Sequence, residues 1–516
     1  MLKLGLKYVT VVFLLIASNS FAVNYYLATD GKSTNSGTSI SSPFNDLFQA
    51  IILANPGDTI FIRSGTYIYQ NRITITKTGV SDKRIVIMAY PDDIVSVYPA
   101  DGRPLFDFSA MAAGSSNQGF LISGSQYLHI KGIRITGAGD NGMIVRNSNN
   151  NIFEYCEFFK NRDSGFQIVD GSADNLILNC DSYMNADIGD GLTSDGGNAD
   201  GFAPKLTVGT GNIFRGCRSW LNSDDGWDGY LKTTGTAYPD GMTTTLENCW
   251  TWSNGYYWLD GSTNSGMNGN GFKMGGSDNK DLAHNFILKR CLSFYNKSKG
   301  FDQNSNAGSI TLYNCTSHDN GNKEYMLNST TNVVYVTGSV FTVKNCISLS
   351  DQGSTFKSGT VLETNDLSTL AEYFISTDTS GVAGRRAVDG KLPIIDFMHL
   401  QTQPASPLID AGTIIEGIEY NDAKPDLGCF ETGIPLSTGF LNIENEAFLL
   451  FPNPAMDYFN FSVSGDENEV FIFSTEGKLV KTATINSLNE KIDISDLKKG
   501  LYFVKTKLRT LKLIKI

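Results

Sequence analysis

Seven cysteines recur at one position of a repeating unit, and this regularity constrains the fold more than any other feature of the chain. Cys156, Cys180, Cys217, Cys249, Cys291, Cys315 and Cys346 each follow a short strand-like run. Five positions further on stand Asn161, Asn185, Asn222, Asn254, Asn296, Asn320 and finally Asp351. Successive cysteines are 24, 37, 32, 42, 24 and 31 residues apart. That suits a rung of about 24 residues with inserted loops. One period upstream, Gly132 is expected at the cysteine position.

A short unit of strands and Gly/Asn turns, lacking helical periodicity, predicts an all-β parallel β-helix. The composition agrees, with 52 glycines and only 18% charged residues. Stacking the rungs puts the cysteines in one interior column and the asparagines in a ladder at a bend, each amide bonding the rungs above and below. Neighbouring thiols then carry parallel Cβ vectors, a poor geometry for disulfides, so buried free thiols are expected. An open coil end must be covered. Ser42-Pro43 is expected to start a capping helix with Phe44, Leu47, Phe48 and Ile51 on its apolar stripe, stopped by Asn55-Pro56-Gly57.

The two ends differ from the middle. Residues 1–22 have a basic start, an apolar run and Ser20-Phe-Ala22, the pattern of a secretory signal peptide rather than a membrane anchor. Residues 23–435 are expected to form the β-helix. Residues 441–516 alternate as short strands and predict a small C-terminal β-sandwich. The net charge of −12 leaves no basic face for nucleic acid.

Loop insertions in a solenoid gather on one face, often the binding face. The longest intervals lie between Cys180 and Cys291, where Asp224, Asp225 and Asp228 crowd together and Asp200 stands 24 residues before Asp224. Isolated Asp-Gly pairs are ordinary turn residues. Four carboxylates one rung apart instead form a hard oxygen-rich site suited to Ca²⁺. Lys273, in Asn270-Gly-Phe-Lys273, repeats the local frame of Asp200; beside a cation its pKa would fall and it could serve as a base. All five tryptophans lie in this region, and Trp227 is the expected sugar contact. None of the four histidines lies near the Asp–Lys region in sequence, so a His-based triad or zinc site is not expected.

From about Asn24 to Glu431 the chain resembles polysaccharide lyase family 9, the β-helical pectate lyases. The resemblance is carried by Asn198-Ala-Asp-Gly-Phe202, Ser223-Asp-Asp-Gly-Trp-Asp228, Asn270-Gly-Phe-Lys-Met-Gly-Gly276, Arg385-Arg-Ala-Val-Asp-Gly-Lys-Leu-Pro393, Ser406-Pro-Leu-Ile-Asp-Ala-Gly412 and Pro425-Asp-Leu-Gly428. It implies a right-handed coil, Ca²⁺ on Asp200, Asp224, Asp225 and Asp228, and Lys273 as the base of a β-elimination on polygalacturonate. Lys205 is a weaker candidate for the substrate carboxylate. The C-terminal segment resembles the type IX secretion sorting domain through Pro452-Asn-Pro-Ala455, Thr475-Glu-Gly-Lys478, Ile492-Asp-Ile-Ser495 and Lys499-Gly-Leu-Tyr502. The expected partners are pectic polysaccharide and the secretion machinery, for a monomer exported through the periplasm. The competing readings are a rhamnogalacturonan I lyase, a β-helical glycoside hydrolase with two carboxylates and no metal, and a non-catalytic surface polysaccharide-binding protein.

Overall fold

The computed structural model describes residues 22–433 except 95–101, 188–195, 233–240, 330–331, 351 and 388–389, together with strand segments between 450 and 515. The expected signal peptide, apart from Ala22, and Asp351 lie outside the described residues. The chain divides into two compact units, 1–436 and 437–516.

In the first unit ten complete rungs each contribute one strand to each of three parallel sheets, wound as a right-handed β-helix, and the largest sheet gains one further strand at either end. A twelve-stranded sheet runs from Asn24–Leu27 to Val361–Glu363, and a ten-stranded sheet from Thr66–Ile68 to Ile347–Leu349. The third, also ten-stranded, runs from Ile73–Ile75 to Ser354–Phe356 and carries the candidate site. Side chains alternate across each strand, so one row per strand fills the coil. In the site sheet the inward row runs Phe166, Phe202, Trp227, Phe272, Phe301, Tyr325.

The corners explain the Cys and Asn columns. The residue before each ladder asparagine adopts a left-handed conformation, as at Lys160, Met184, Leu221, Ser253, Tyr295 and Asp319, with φ between 53 and 58°. That conformation is unfavourable for residues with a Cβ. It is held by the ladder: Asn185 donates through N and Nδ2 to Asn222 Oδ1 at 3.2 and 2.8 Å, and Asn222 does the same to Asn254 at 3.2 and 3.0 Å. The ladder ends on buried Glu324, whose carboxylate accepts from Asn320 N at 3.2 Å and Nδ2 at 2.7 Å.

All eight cysteines are buried free thiols. Those of the column donate to main-chain carbonyls of the preceding rung, as Cys180 to Phe153 at 3.4 Å and Cys217 to Ile177 at 3.3 Å. Gly132 is not in that column. Lys131 pairs with Glu154, so Ile133 faces the Cys156 position and Gly132, at φ 72°, shares the left-handed corner of Tyr155. The rung there is one residue shorter than the period used for the alignment.

The capping helix spans Leu47–Leu53 and starts later than expected. Phe44 is drawn into pairing instead: its N–H donates to the Tyr26 carbonyl and its carbonyl accepts from Ala28 N, both at 2.9 Å. Asp46 then caps the helix, its Oδ1 accepting from Phe48 N at 3.1 Å.

A closing segment of the same unit packs across the outer face of the sheet that ends at Ile347–Leu349. Phe374, Phe397, Leu400 and Leu427 cover Trp220, Trp250, Trp252 and Phe294. Arg386 pins it, donating to Asp181 and to the carbonyls of Cys180, Gly216 and Gly390.

The second unit contains an antiparallel three-stranded and an antiparallel four-stranded sheet around Phe459, Val470, Ile472, Ile492 and Val504. Beyond the runs Phe459–Val463, Val470–Phe473, Lys491–Ile494 and Leu501–Lys505 that the sequence pattern marks, Leu479–Thr484 and Thr510–Lys515 are also strands.

Candidate active site

Three consecutive strands of the site sheet, Phe202–Pro204, Trp227–Asp228 and Phe272–Lys273, bring the acidic and basic residues together. Each is preceded by a glycine, Gly201, Gly226 or Gly271. A Cβ on Gly201 would lie 1.9 Å from Ser219 Oγ, and one on Gly226 would lie 2.0 Å from Thr251 Oγ1. The small residue lets the chain pass over the asparagine ladder and its hydroxyls, which fixes the turn presenting the carboxylates.

The register differs in one respect from the 24-residue spacing. Phe202 pairs with Trp227, so Asp200 stacks on Asp225 and not on Asp224. The Gly201 N–H donates to the Asp225 carbonyl at 3.0 Å, and Asp225 N to Asp200 Oδ1 at 3.3 Å. The residue in the frame of Asp200 on the third strand is Asn270; Lys273 pairs with Asp228.

Asp200, Asp224 and Asp225, all buried, each offer an oxygen within 4.8 Å of the others. Asp228 stands beside this group, its Oδ1 3.3 Å from Lys273 Nζ and accepting from Tyr230 N at 3.0 Å. Lys273 Nζ is also 3.0 Å from Asp225 Oδ2. Lys205 Nζ lies 2.6 Å from Asp200 Oδ2 and 3.5 Å from Asp228 Oδ2. The lysine proposed for a substrate carboxylate is thus held by carboxylates of the chain itself.

The electrostatics follow from packing these charges out of water. Burial, opposed by Lys205 and reinforced by Asp228 and Asp225, pushes Asp200 up to about 8. Burial and Asp225 push Asp224 well above the usual carboxylate range. Burial also raises Asp228, but Lys273 and Lys205 outweigh it and leave this carboxyl low. Burial works to lower Lys273, yet Asp225, Asp228, Asp224 and Asp200 together hold its ammonium well above the ordinary value. Without a further cation Lys273 is protonated, opposite to the lowered pKa expected beside a metal.

The donor set fits a hard divalent cation. Three carboxylate oxygens converge, and Asn270 Oδ1 is buried with no hydrogen-bond donor among the described residues. Such oxygens are costly unless a cation satisfies them.

Trp227 is not a sugar platform. It is 1% exposed and sits in the interior aromatic column, its ring 4.9 Å from Phe202 and 5.0 Å from Phe272. Alternation explains this: if Asp228 faces outward, its neighbour faces the core. Of the five tryptophans only Trp258 is neither buried nor under the closing segment; the Lys160 ammonium lies 4.6 Å over its ring.

No histidine lies within the Asp–Lys stretch of the sequence, yet the strand His284–Lys289 brings one beside the site. His284 is fully buried, with Nδ1 2.8 Å from the Gly229 carbonyl and Nε2 2.8 Å from Thr244 Oγ1. The carbonyl requires Nδ1 to donate, which leaves Nε2 to accept from the hydroxyl. Burial lowers its pKa to about 4. It braces the backbone just after Asp228, and no local signal in the sequence marks it.

The comparisons with known proteins agree with the fold. The family model of the Pel9A-like, right handed beta helix region matches residues 25–345. The chain belongs to the Pel9A-like family. It is accordingly a polysaccharide lyase. Pectate lyase L of Dickeya chrysanthemi is 37% identical over 428 residues, covering 79% of this chain and 90% of that protein. Pectate lyase L of Paenibacillus polymyxa is 38% identical over 419 residues, covering 77% and 87%. The crystal structure of pectate lyase Pel9A matches with a TM-score of 0.69 at 36% identity over 80% of this chain and 97% of that one. A rhamnogalacturonan lyase structure matches with a TM-score of 0.61 at 25% identity, over 74% and 97%. Residues 449–515 match a secretion system C-terminal sorting domain, which marks the chain as exported.

Proposed function

We propose that the chain is a calcium-dependent pectate lyase that cleaves polygalacturonate by β-elimination, with Lys273 as the base. The single observation that carries this reading is the lysine ammonium poised over a buried, cation-seeking carboxylate cluster. Asp200, Asp224 and Asp225 would hold the ion, with Asp228 alongside. A bound Ca²⁺ would neutralise the carboxylates that keep Lys273 protonated and would draw electron density from a uronate carboxylate, acidifying the adjacent C5 proton.

Lys273 Nζ, once neutral, takes the C5 proton; the electron pair forms the C4–C5 double bond and the C4–O bond breaks. The leaving oxygen takes up a proton from water and the Lys273 ammonium returns its own to solvent, so the products are a 4,5-unsaturated uronate and a chain ending in a free hydroxyl. Asp228 orients the amine through the 3.3 Å contact, and Lys205 pairs with Asp200 and Asp228 on the other side of the cluster. The carboxylates and both ammonium groups have little access to solvent, which strengthens each charge interaction.

A rhamnogalacturonan I backbone is the second reading, favoured only by the structural likeness at 25% identity. Relatives named pectate lyase match at 37 and 38% identity. Incubating the chain with each polymer and calcium, and following the ultraviolet absorbance of the unsaturated product, decides between them. We also read residues 1–22 as a signal peptide, so that a monomer would cross the periplasm before the sorting domain engages type IX secretion.

A further inference from the structure

Two positions before the inward rings of the site sheet lies a column of side chains that changes sign along the coil. Following the strand register it runs Ser164, Asp200, Asp225, Asn270, Lys299, Lys323. Hydroxyl, carboxylates and amide give way to two lysines that face each other directly in neighbouring strands.

Lys299 Nζ bonds Asp302 Oδ2 at 2.9 Å, and Asp302 is the strand partner of Lys273. The Lys299 ammonium therefore lies over the same outer face as Lys273, one rung further on. Its side chain is 26% exposed, against 11% for Lys273. Lys323 Nζ has a single partner among the described residues, the carbonyl of Gln352 at 2.9 Å. Lysines on the outer face of the twelve-stranded sheet are instead matched to carboxylates: Lys131 to Glu154, Lys289 to Glu247, Lys344 to Glu363. Among the described residues, Lys299 and Lys323 are thus two accessible cations with a single carboxylate, Asp302, paired to either of them. Their rungs are about 4.8 Å apart, a repeat comparable to one pyranose of a polymer lying along the coil axis.

We infer that Lys299 and Lys323 form a subsite for the carboxylates of further uronate residues, continuing the bound polymer from Lys273 toward the C-terminal end of the coil. This rests on the uronate reading of the neighbouring site. Two accessible ammonium groups acting through water recognise charge rather than the shape of the sugar, so the ligand is an acidic polymer and not a neutral one.

The test uses the full chain with calcium and galacturonate oligomers of increasing length, comparing the parent with Lys299→Gln, Lys323→Gln and the double variant. For the parent, kcat/KM should rise with length. In the double variant the rise should shrink by about tenfold, through KM, while the shortest cleaved oligomer is unaffected. An unchanged length profile in the double variant would overturn the inference. Retardation of the same proteins in gels containing polygalacturonate or its carboxyl-reduced neutral form gives a readout without turnover. Loss of retardation by the double variant in the acidic gel alone supports the subsite even if no oligomer is cleaved, an outcome that would overturn the lyase reading separately. Equal retardation of parent and double variant in the acidic gel would overturn the subsite.

Discussion

The Lys273 ammonium lies 3.0 Å from Asp225 Oδ2, a buried carboxylate oxygen whose counter-charge it supplies. Two strands place these groups, since Phe272 and Trp227 pair in the interior while the residues around them face outward. The contact joins the two halves of the chemistry. The carboxylates that would take a cation are the same ones that keep the lysine charged, so occupation of one sets the protonation of the other.

Asp224→Asn should uncouple metal binding from folding. The change removes one of three converging buried charges and keeps an oxygen for the Asn268 N–H, which now donates to Asp224 Oδ1 at 2.7 Å. The metal-free variant should melt at or above the parent temperature. Calcium should stabilise the parent by about 2.7 kcal/mol at a hundredfold excess over Kd and shift the variant far less. Scanning calorimetry with and without calcium checks both.

Asp181 should make the closing segment acid-sensitive. Burial opposes its ionisation, but Arg218 and Arg386 outweigh it and hold the carboxyl well below the usual range. A depressed folded pKa contributes stability that is present above the unfolded value of about 3.9 and lost as pH falls below it. Asp181→Asn, leaving two buried guanidiniums, should cost about 3–5 kcal/mol at pH 7. The difference from the parent should narrow below about pH 4, as read by urea unfolding at both pH values.

Glu324→Ala should weaken the end of the asparagine ladder. Both donors of Asn320 and the Ser317 hydroxyl, at 2.5 Å, would lose their buried acceptor. A loss of about 2–4 kcal/mol is expected, with faster amide exchange around Asn320 than around Asn222.

Trp227→Phe should leave KM unchanged and lower stability by about 1–2 kcal/mol, because the ring is interior. A raised KM with unaltered stability would return the indole to the substrate face.

The repeat made the coil legible because the same two corners recur on every rung, and each demands a thiol-sized or ladder-forming side chain. The gathering of Asp200, Asp225 and Lys273 on neighbouring rungs is legible too, but their register is not: the sequence spacing pairs Asp200 with Asp224 and puts Lys273 in the frame that Asn270 occupies. Five positions resisted. Gly132 and Asp224 were each misplaced by one residue because rung length varies by a residue, and a one-residue slip exchanges faces. Trp227 was assigned outward although its outward neighbour Asp228 excludes that in a strand. Phe44 matched a helical stripe but gains more from two main-chain hydrogen bonds to the first strand. His284 could not be read at all; its partner Gly229 is 55 residues away and is met through its backbone.

The most direct test is the calcium-dependent ultraviolet signal of unsaturated uronate from polygalacturonate, measured for the parent and for Lys273→Ala. The parent should give the signal only with calcium. The variant should lose it by about 10²–10⁴-fold while still binding calcium by calorimetry. A variant that cleaves at the parent rate, or a parent rate indifferent to calcium and chelator, would contradict the assignment of the base and the metal.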